Sequence, residues 1–481
     1  MRTQKKAVSL LLSLATAAVL PGCVSYKGIG SSAQTAQPAD YAASQALADE
    51  HGHWPSADWA SRFGDQQLAA LIAEALKNSP TLDQAKARIA AAAAYSDSTY
   101  AAAGAKVNLD ASVTRQRYTS NALVPPPVAG SYQTENKALL SASYELDVWD
   151  KHRAAERASV SRLLYAEAEK EKVKLALSTA IARTYNELAR LYQQRDLTAD
   201  DIAQRQQLRQ LSAARTRAGL ETEVELQNIN RAIASSRTSL AALDGKITDV
   251  RFQLAALLGA GPDRGLHIAR PAFAEGNAQQ DSLPDNLPAD LVSRRPDIAM
   301  AHWSVDARTQ DISVAKAEFY PNLNLSAAVG LDSFGFGRFL NASSRSLSAA
   351  PALHLPIFDS GALRAQLKGR YADFDYAVAN YNQTLITALS EVATEVARIR
   401  STDLQLNDAH TASDAARRNW QLAASQYKAG LSTQQNELQA RLNVIAADQT
   451  MANLRNARRD QQIGLAAALG GGFGDNEKTA K

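Results

Sequence analysis

TRAGLETEVELQ, residues 216–227, sets a lone glycine in a stretch that otherwise favours helix. Upstream of Gly219 the chain runs back to Gly130 without another glycine and to Pro127 without a proline. A second version, YKAGLSTQQNELQ, stands at 427–439 around Gly430. Glycine suits the left-handed turn that ends a helix. Each copy therefore predicts a turn between one long helix and a returning helix.

Other segments recur at almost the same interval. ALKNSPTLDQAKARI (75–89) matches LVSRRPDIAMAHWSV (291–305), with Pro80 set on Pro296. YELDVWDKHRAAERAS (144–159) matches LHLPIFDSGALRAQLKG (353–369), with Asp150 set against Asp359. LAALLG (254–259) matches LAAALG (465–470). Four matches in one order, spaced by roughly 210 residues, predict two structural repeats.

Each repeat has the same internal order. A long helix is predicted over about 151–217, and Val173, Leu177, Ile181, Tyr185, Leu188 and Tyr192 recur along it at spacings of four and three. Its counterpart covers about 361–428, with Val378, Leu385, Leu389, Val392, Val396 and Ile399 on a heptad-like stripe. At 1.5 Å per residue each would be about 100 Å long. Helices of about half that length are predicted after the glycines, at about 222–258 and 433–469, and before the long helices, at roughly 66–104 and 288–319. Two half-length helices stacked end to end match one long helix.

Between the leading half helix and the long helix, each repeat holds two alternating runs, predicted as strands at about 107–118 and 137–148, then 321–332 and 348–357. Leu109, Ala111 and Val113 alternate with Asn108, Asp110, Ser112 and Thr114; Leu323, Leu325, Ala327, Val329 and Leu331 alternate with Asn322, Asn324 and Ser326. The returning runs set Leu140, Ala142, Tyr144 and Leu146, and then Leu353, Leu355 and Ile357, on one side. The runs have about the 9 to 11 residues a tilted strand needs to cross a bilayer. Four strands cannot close a barrel, and an open edge in lipid leaves backbone groups unsatisfied. Three copies would supply twelve strands, an even number within the bacterial range.

The 481 residues carry a formal net charge of +3 and only 6% aromatics, a balance that favours long helices and lacks the basic footprint of nucleic-acid binding. Arg2, Lys5 and Lys6 precede the apolar run AVSLLLSLATAAVL (7–20) and LPGC, so residues 1–22 are predicted to be a secretory signal peptide. Cys23 is the only cysteine, and its setting resembles a bacterial lipobox. That resemblance implies lipid on Cys23, with Val24 favouring the outer membrane. Residues 23–58 are expected to be an extended linker from that anchor, 59–265 and 288–472 the two repeats, 266–287 the link between them, and 473–481 a tail.

The combination of FGDQQLAALIAEALKNSPTLDQAKARI, YELDVWDKHRAAERA, LVSRRPDIAMAH, EFYPNLNLSA and LPIFDSGALRAQL resembles the TolC/OprM/NodT family of outer-membrane efflux channels, over about Trp59 to Gly472. The resemblance implies a mainly α fold with a small transmembrane β part. A homotrimer would form a 12-stranded β-barrel in the outer membrane, continued by a periplasmic α-barrel of coiled-coil helices. It implies a periplasmic adaptor at the helical tips and an inner-membrane pump of the RND, MFS or ABC type. It also implies a passive duct for drugs or other small toxic compounds. A type I protein secretion duct and a non-conducting, envelope-tethering coiled-coil lipoprotein are the alternatives.

No catalytic, cofactor or metal motif competes with that reading. His51 and His53 form an H-x-H pair in the linker, while His302, His354 and His410 lack carboxylate or cysteine partners at ligand spacing. VPPPVAG (124–130) and GFG (335–337) read as exposed connections between strands. The turns give Ala218, Gly219, Leu220 and Thr222, with Ala429, Gly430, Leu431 and Thr433, as the expected adaptor-facing residues. Several family members carry acids six and nine positions after the second glycine, where this chain has Asn436 and Gln439. With Tyr427, and with Glu225 at the equivalent step in the first repeat, these are expected to form a polar periplasmic constriction.

Overall fold

The structure is a computed structural model that describes residues 25–43, 45–47, 52–121, 124–274, 283–284 and 287–474. The signal peptide, Cys23, His51 and most of the tail lie outside the described residues. Two compact units divide the chain.

The unit built from Arg88–Ala166 and Ala301–Tyr381 holds one antiparallel sheet in the order β1 (Lys106–Arg117), β2 (Tyr132–Leu146), β3 (Asn322–Phe334) and β4 (Arg345–His354). Its register aligns the apolar alternations of all four strands. Leu109 faces Leu140, Leu140 faces Val329, and Val329 faces Leu347. Asn108, Ser141, Ala328 and Ser348 align in the same way on the opposite face. Strands β1 and β4 are edges. β2 starts at Tyr132, ahead of the apolar alternation, because polar Tyr132–Asn136 continue the ladder against Arg117–Val113. β4 begins earlier than its apolar pattern too and stops at His354, before Pro356. Pro351 is tolerated within it because an edge strand has one side free of ladder bonds.

The second unit, Ala36–Ala87 with Glu167–Met300 and the chain from Asn382, is helical. Two expected half helices are each broken in two. Residues 66–104 form α1 (Gln66–Asn78) and α2 (Pro80–Ala102), and 288–319 form α6 (Leu287–Arg294) and α7 (Pro296–Ala317). Pro80 and Pro296 have no N–H to extend the preceding helix and disfavour helical geometry in the residue before them. Each proline starts a helix instead, where an N–H would have no partner.

The glycine-free stretch is one helix, α3 (Lys151–Arg217), and its counterpart is α8 (Ala362–Lys428); each has 67 residues. The returning helices α4 (Glu223–Leu257) and α9 (Gln434–Ala468) have 35 residues each. A short α5 (Pro262–Leu266) follows α4. Tyr185, Leu188 and Leu191 of α3 pack with Ile247, Leu254 and Leu258, and with Leu68 and Leu71 of α1. None of the described helices is long and apolar enough to cross a membrane.

The half-length helices meet head to tail. A Cβ on Gly259, just past α4, would stand 2.5 Å from the Asn78 carbonyl oxygen, beside Pro80 at the start of α2. A Cβ on Gly470, just past α9, would stand 1.8 Å from the Arg294 carbonyl oxygen, beside the start of α7. Gly470 also has φ +90°. Gly470→Ala is therefore expected to cost about 3 kcal/mol from left-handed strain plus overpacking. Denaturant melts of the detergent-solubilised protein check this, the midpoint falling at an unchanged slope.

Candidate functional site

Each long helix ends in the same turn. The Gly219 N–H donates to the Thr216 carbonyl at 3.0 Å, and the Leu220 N–H reaches back to the Arg215 carbonyl at 2.9 Å. At the second tip the Gly430 N–H donates to Tyr427 at 3.0 Å and the Leu431 N–H to Gln426 at 2.8 Å. This is the Schellman pattern, which needs a left-handed residue, and the two glycines have φ +67° and +72°. Leu220 and Leu431 normally would fold back on the helix in such a turn, yet they are 71% and 81% exposed. The first tip adds Val224, also exposed. The turns thus leave apolar side chains exposed at the ends of the long helices.

The two threonines differ. Thr433 caps α9, its side chain accepting from the Asn436 N–H, whereas Thr222 precedes α4 without a side-chain cap. Arg215 and Glu221 stand 3.7 Å apart across the first turn. Ala218 and Ala429 are exposed. Leu208, Ile229 and Ile233 pack with Leu438, which joins the two hairpins a short way above their tips.

Tyr427, Asn436 and Gln439 are exposed and Glu225 is half-buried. Among the described residues no hydrogen bond joins these four within one protomer. The Asn436 amide donates instead to Ser432 at 3.2 Å.

Several motifs place polar groups whose roles sequence reasoning did not resolve. In SRRPDI, Arg295 is 7% exposed; it holds Asp297 at 2.6 Å and Glu391 at 2.8 Å and donates to the Ala468 carbonyl at 2.9 Å. Burial pushes the Asp297 carboxyl up, but the Arg295 guanidinium outweighs it and holds the group below the usual carboxylate range. In FGDQQL, Asp65 caps α1 and accepts from the Tyr185 hydroxyl at 2.8 Å.

The pairing of Asp150 with Asp359 needs correction. Asp147, not Asp150, accepts the His152 and Arg153 N–H groups that open α3, and Asp359 accepts those of Gly361 and Leu363 before and within α8. Asp150 instead takes a left-handed φ of 59° and pairs with Arg153. An aspartate can adopt that conformation, and its twin position is a glycine, Gly361, at φ +87°.

Two histidines also differ from expectation. His410 lies 3.1 Å from Asp414 and His302 3.9 Å from Asp306, both one helical turn apart. All four side chains are well exposed, so these are surface pairs. Among the described residues no group of three or more His, Cys, Asp or Glu could hold a metal. Arg459 is half-buried over the Phe273 ring at 4.1 Å and donates to Asn186 and Asn456; partial burial and nearby Arg455 push its pKa down to about 10. The expected linker is not free either: Tyr26 packs on Phe319, and the Ala36 N–H donates to Asn382 at 2.7 Å.

Long helices that end in exposed apolar turns, with a small sheet that carries an apolar band across one face, define the class of outer-membrane channels. The chain belongs to the outer membrane efflux protein family, whose model matches residues 71–260 and 287–471. It is 32% identical to the multidrug resistance outer membrane protein MdtP of Escherichia coli K12, over 431 residues and 87% of each chain. It is 34% identical to the fusaric acid resistance protein FusA of Burkholderia cepacia, over 75% of this chain and 69% of that one. The crystal structure of the outer membrane protein VceC from Vibrio cholerae superposes with a TM-score of 0.80 at 32% identity, covering 87% of this chain and all of that one. The protein is accordingly an outer-membrane protein of an efflux family.

Proposed function

We propose that the protein is the trimeric exit duct of a tripartite efflux pump, passing drugs or other small toxic compounds delivered by an inner-membrane RND, MFS or ABC pump through a periplasmic adaptor. The observation that carries this reading is the sheet. It has a continuous apolar band across one face and two open edges. In lipid those edges need partners. Three copies pairing β4 to β1 give a closed, antiparallel barrel of twelve strands. The equal lengths of α3 and α8, and of α4 and α9, support two structural repeats, as do the two separate matches to the family model.

The long helices continue the barrel as a periplasmic α-barrel, Cys23 carries the lipid, and the two glycine turns receive the adaptor. Heat-resistant trimers that conduct ions in planar bilayers are expected from purified protein. A protein that stays monomeric and silent would instead be a tether. The type I secretion alternative differs only in cargo, and the drug sensitivity of a deletion strain separates them.

Tyr427, Glu225, Asn436 and Gln439 form the periplasmic constriction in this reading, brought together between protomers rather than within one. Tyr427→Ala with Glu225→Gln is expected to raise single-channel conductance about twofold or more, because rings of side chains at the axis set the narrowest passage. Unchanged conductance would remove these residues from the gate.

A further inference from the structure

The face of the sheet that carries the apolar band changes along the strands. At the strand ends that join the helices, Leu146, Leu323 and Leu353 share one row, and Tyr144, Leu325 and Pro351 the next. At the loop ends the rows turn polar. Arg345 stands beside Leu331; then come Val113, Asn136 and Ser333, then Arg115 with Thr134, and last Arg117 with Tyr132. The Arg115 guanidinium donates to the Thr134 hydroxyl at 3.3 Å, as two side chains on one face can.

Arg115, Arg117 and Arg345 are the only charged residues on that face. The sheet's carboxylates, Asp110, Glu135, Glu145 and Asp332, all take the alternate positions and belong to the other side, with Lys106 and Lys137. There Lys137 is paired, with Glu135 at 2.6 Å. The three arginines are exposed, and among the described residues none of them meets a carboxylate.

Their height matters as much as their sign. On a lipid-facing surface an arginine is costly at the middle of the bilayer and tolerated near its edge. From Leu323 to Ser333 the strand covers about 34 Å, or about 26 Å of height at a tilt of about 40°. That matches an apolar band about 25 Å tall, so Arg115 and Arg117 stand just past its limit. Arg345, on the row below Ser333, has a stem long enough to bring its head to the same level.

Unpaired arginines at the edge of hydrocarbon suit phosphate, whose oxygens match the planar fork of a guanidinium. The rows at the helix ends of this face hold no charged residue, so a headgroup common to both membrane surfaces does not account for cations at one end alone. The outer leaflet of an outer membrane differs from the inner in its lipid, lipopolysaccharide, whose lipid A carries phosphates directly above its acyl chains.

We propose that Arg115, Arg117 and Arg345 hold the lipid A phosphates of lipopolysaccharide at the outer rim of the barrel. This rests on the exit-duct reading above, which turns the apolar band to lipid and the loop ends outward. Since β1 and β4 are the edge strands, closure puts the arginines on neighbouring strands at each junction between copies.

The test titrates the full-length protein, purified in a non-ionic detergent, with diphosphoryl lipid A, with lipid A stripped of its phosphates and with phosphatidylglycerol, and counts bound lipid by native mass spectrometry. Diphosphoryl lipid A is expected to bind about tenfold or more tightly than the other two, the gain belonging to charge-assisted bonds. Arg115→Gln/Arg117→Gln/Arg345→Gln is expected to lose that preference while trimers and single-channel conductance stay as in the parent. Equal binding of the stripped lipid, or a triple variant that holds diphosphoryl lipid A as the parent does, would overturn the arginine site. Equal binding of phosphatidylglycerol would overturn lipopolysaccharide as its occupant. The comparison of lipids on the parent decides even where the variant fails to assemble. Any of these failures in a parent that forms heat-resistant, conducting trimers leaves the duct reading intact, whereas a parent without such trimers would overturn that reading itself.

Discussion

A chain carrying Gly430→Val is expected to leave its host as drug-sensitive as a strain lacking the channel, while heat-resistant trimers still accumulate in the outer membrane. Gly430 sits at φ +72°, in a region that costs most side chains about 1–2 kcal/mol and β-branched ones more. Nothing stands within 4 Å of a Cβ at that position, so no clash spreads into the hairpin. The strain is met locally, by opening the turn and moving Leu431. A protein with its core intact and its docking surface displaced separates assembly from coupling. Gly219→Val is expected to act in the same direction, because φ +67° and exposed Leu220 repeat the geometry. Gly430→Asn is the control, since asparagine tolerates the left-handed region and should keep most of the resistance. Minimal inhibitory concentrations beside unboiled gels check all three variants; full resistance in both valine variants would remove the turns from the docking surface.

Those turns were the most legible part of the chain, and the reason is physical. A left-handed cap is written in one residue type, and a 67-residue helix shows itself by the absence of glycine and proline across Lys151–Arg217. The strand faces were legible through their period of two, and the register put Leu109, Leu140, Val329 and Leu347 on one side. The ends of strands were less so. Tyr132–Asn136 keep the ladder through backbone bonds, which carry no apolar signal. Pro80 and Pro296 were visible, but whether each kinks a helix or divides it in two depends on what its neighbours stack against. Asp147 reaches N–H groups five and six residues on, beyond the usual cap spacing, while Arg295 and Arg459 also need Glu391, the Ala468 carbonyl and Asn186 on other helices, which no spacing rule names. The assignment of Tyr427, Glu225, Asn436 and Gln439 to a constriction rests on sequence offset alone, since among the described residues no hydrogen bond joins them within one protomer.

Arg295→Leu is expected to lower the stability of the helical unit by about 3–5 kcal/mol, the usual result of removing one partner from a buried ion pair. The leucine would leave Asp297 without the guanidinium that holds its charge, and would strip the Ala468 carbonyl of its donor at the end of α9. It would also free Glu391, which is half exposed and recovers water at little cost. The pair makes a further demand on pH. Asp297 has its folded pKa held below the unfolded value near 3.9. Its contribution is therefore fully present above that unfolded value and is lost as pH falls through the folded one. Denaturant midpoints of the parent protein should thus decline on acidification below about pH 4, and Arg295→Leu should reduce the part of that decline owed to Asp297. Arg295→Lys is expected to recover only part of the loss, because an ammonium cannot hold Asp297, Glu391 and the carbonyl with the planar fork of a guanidinium. A lysine variant as stable as the parent would show that charge alone, rather than the fork that ties the start of α7 to the end of α9, holds this junction.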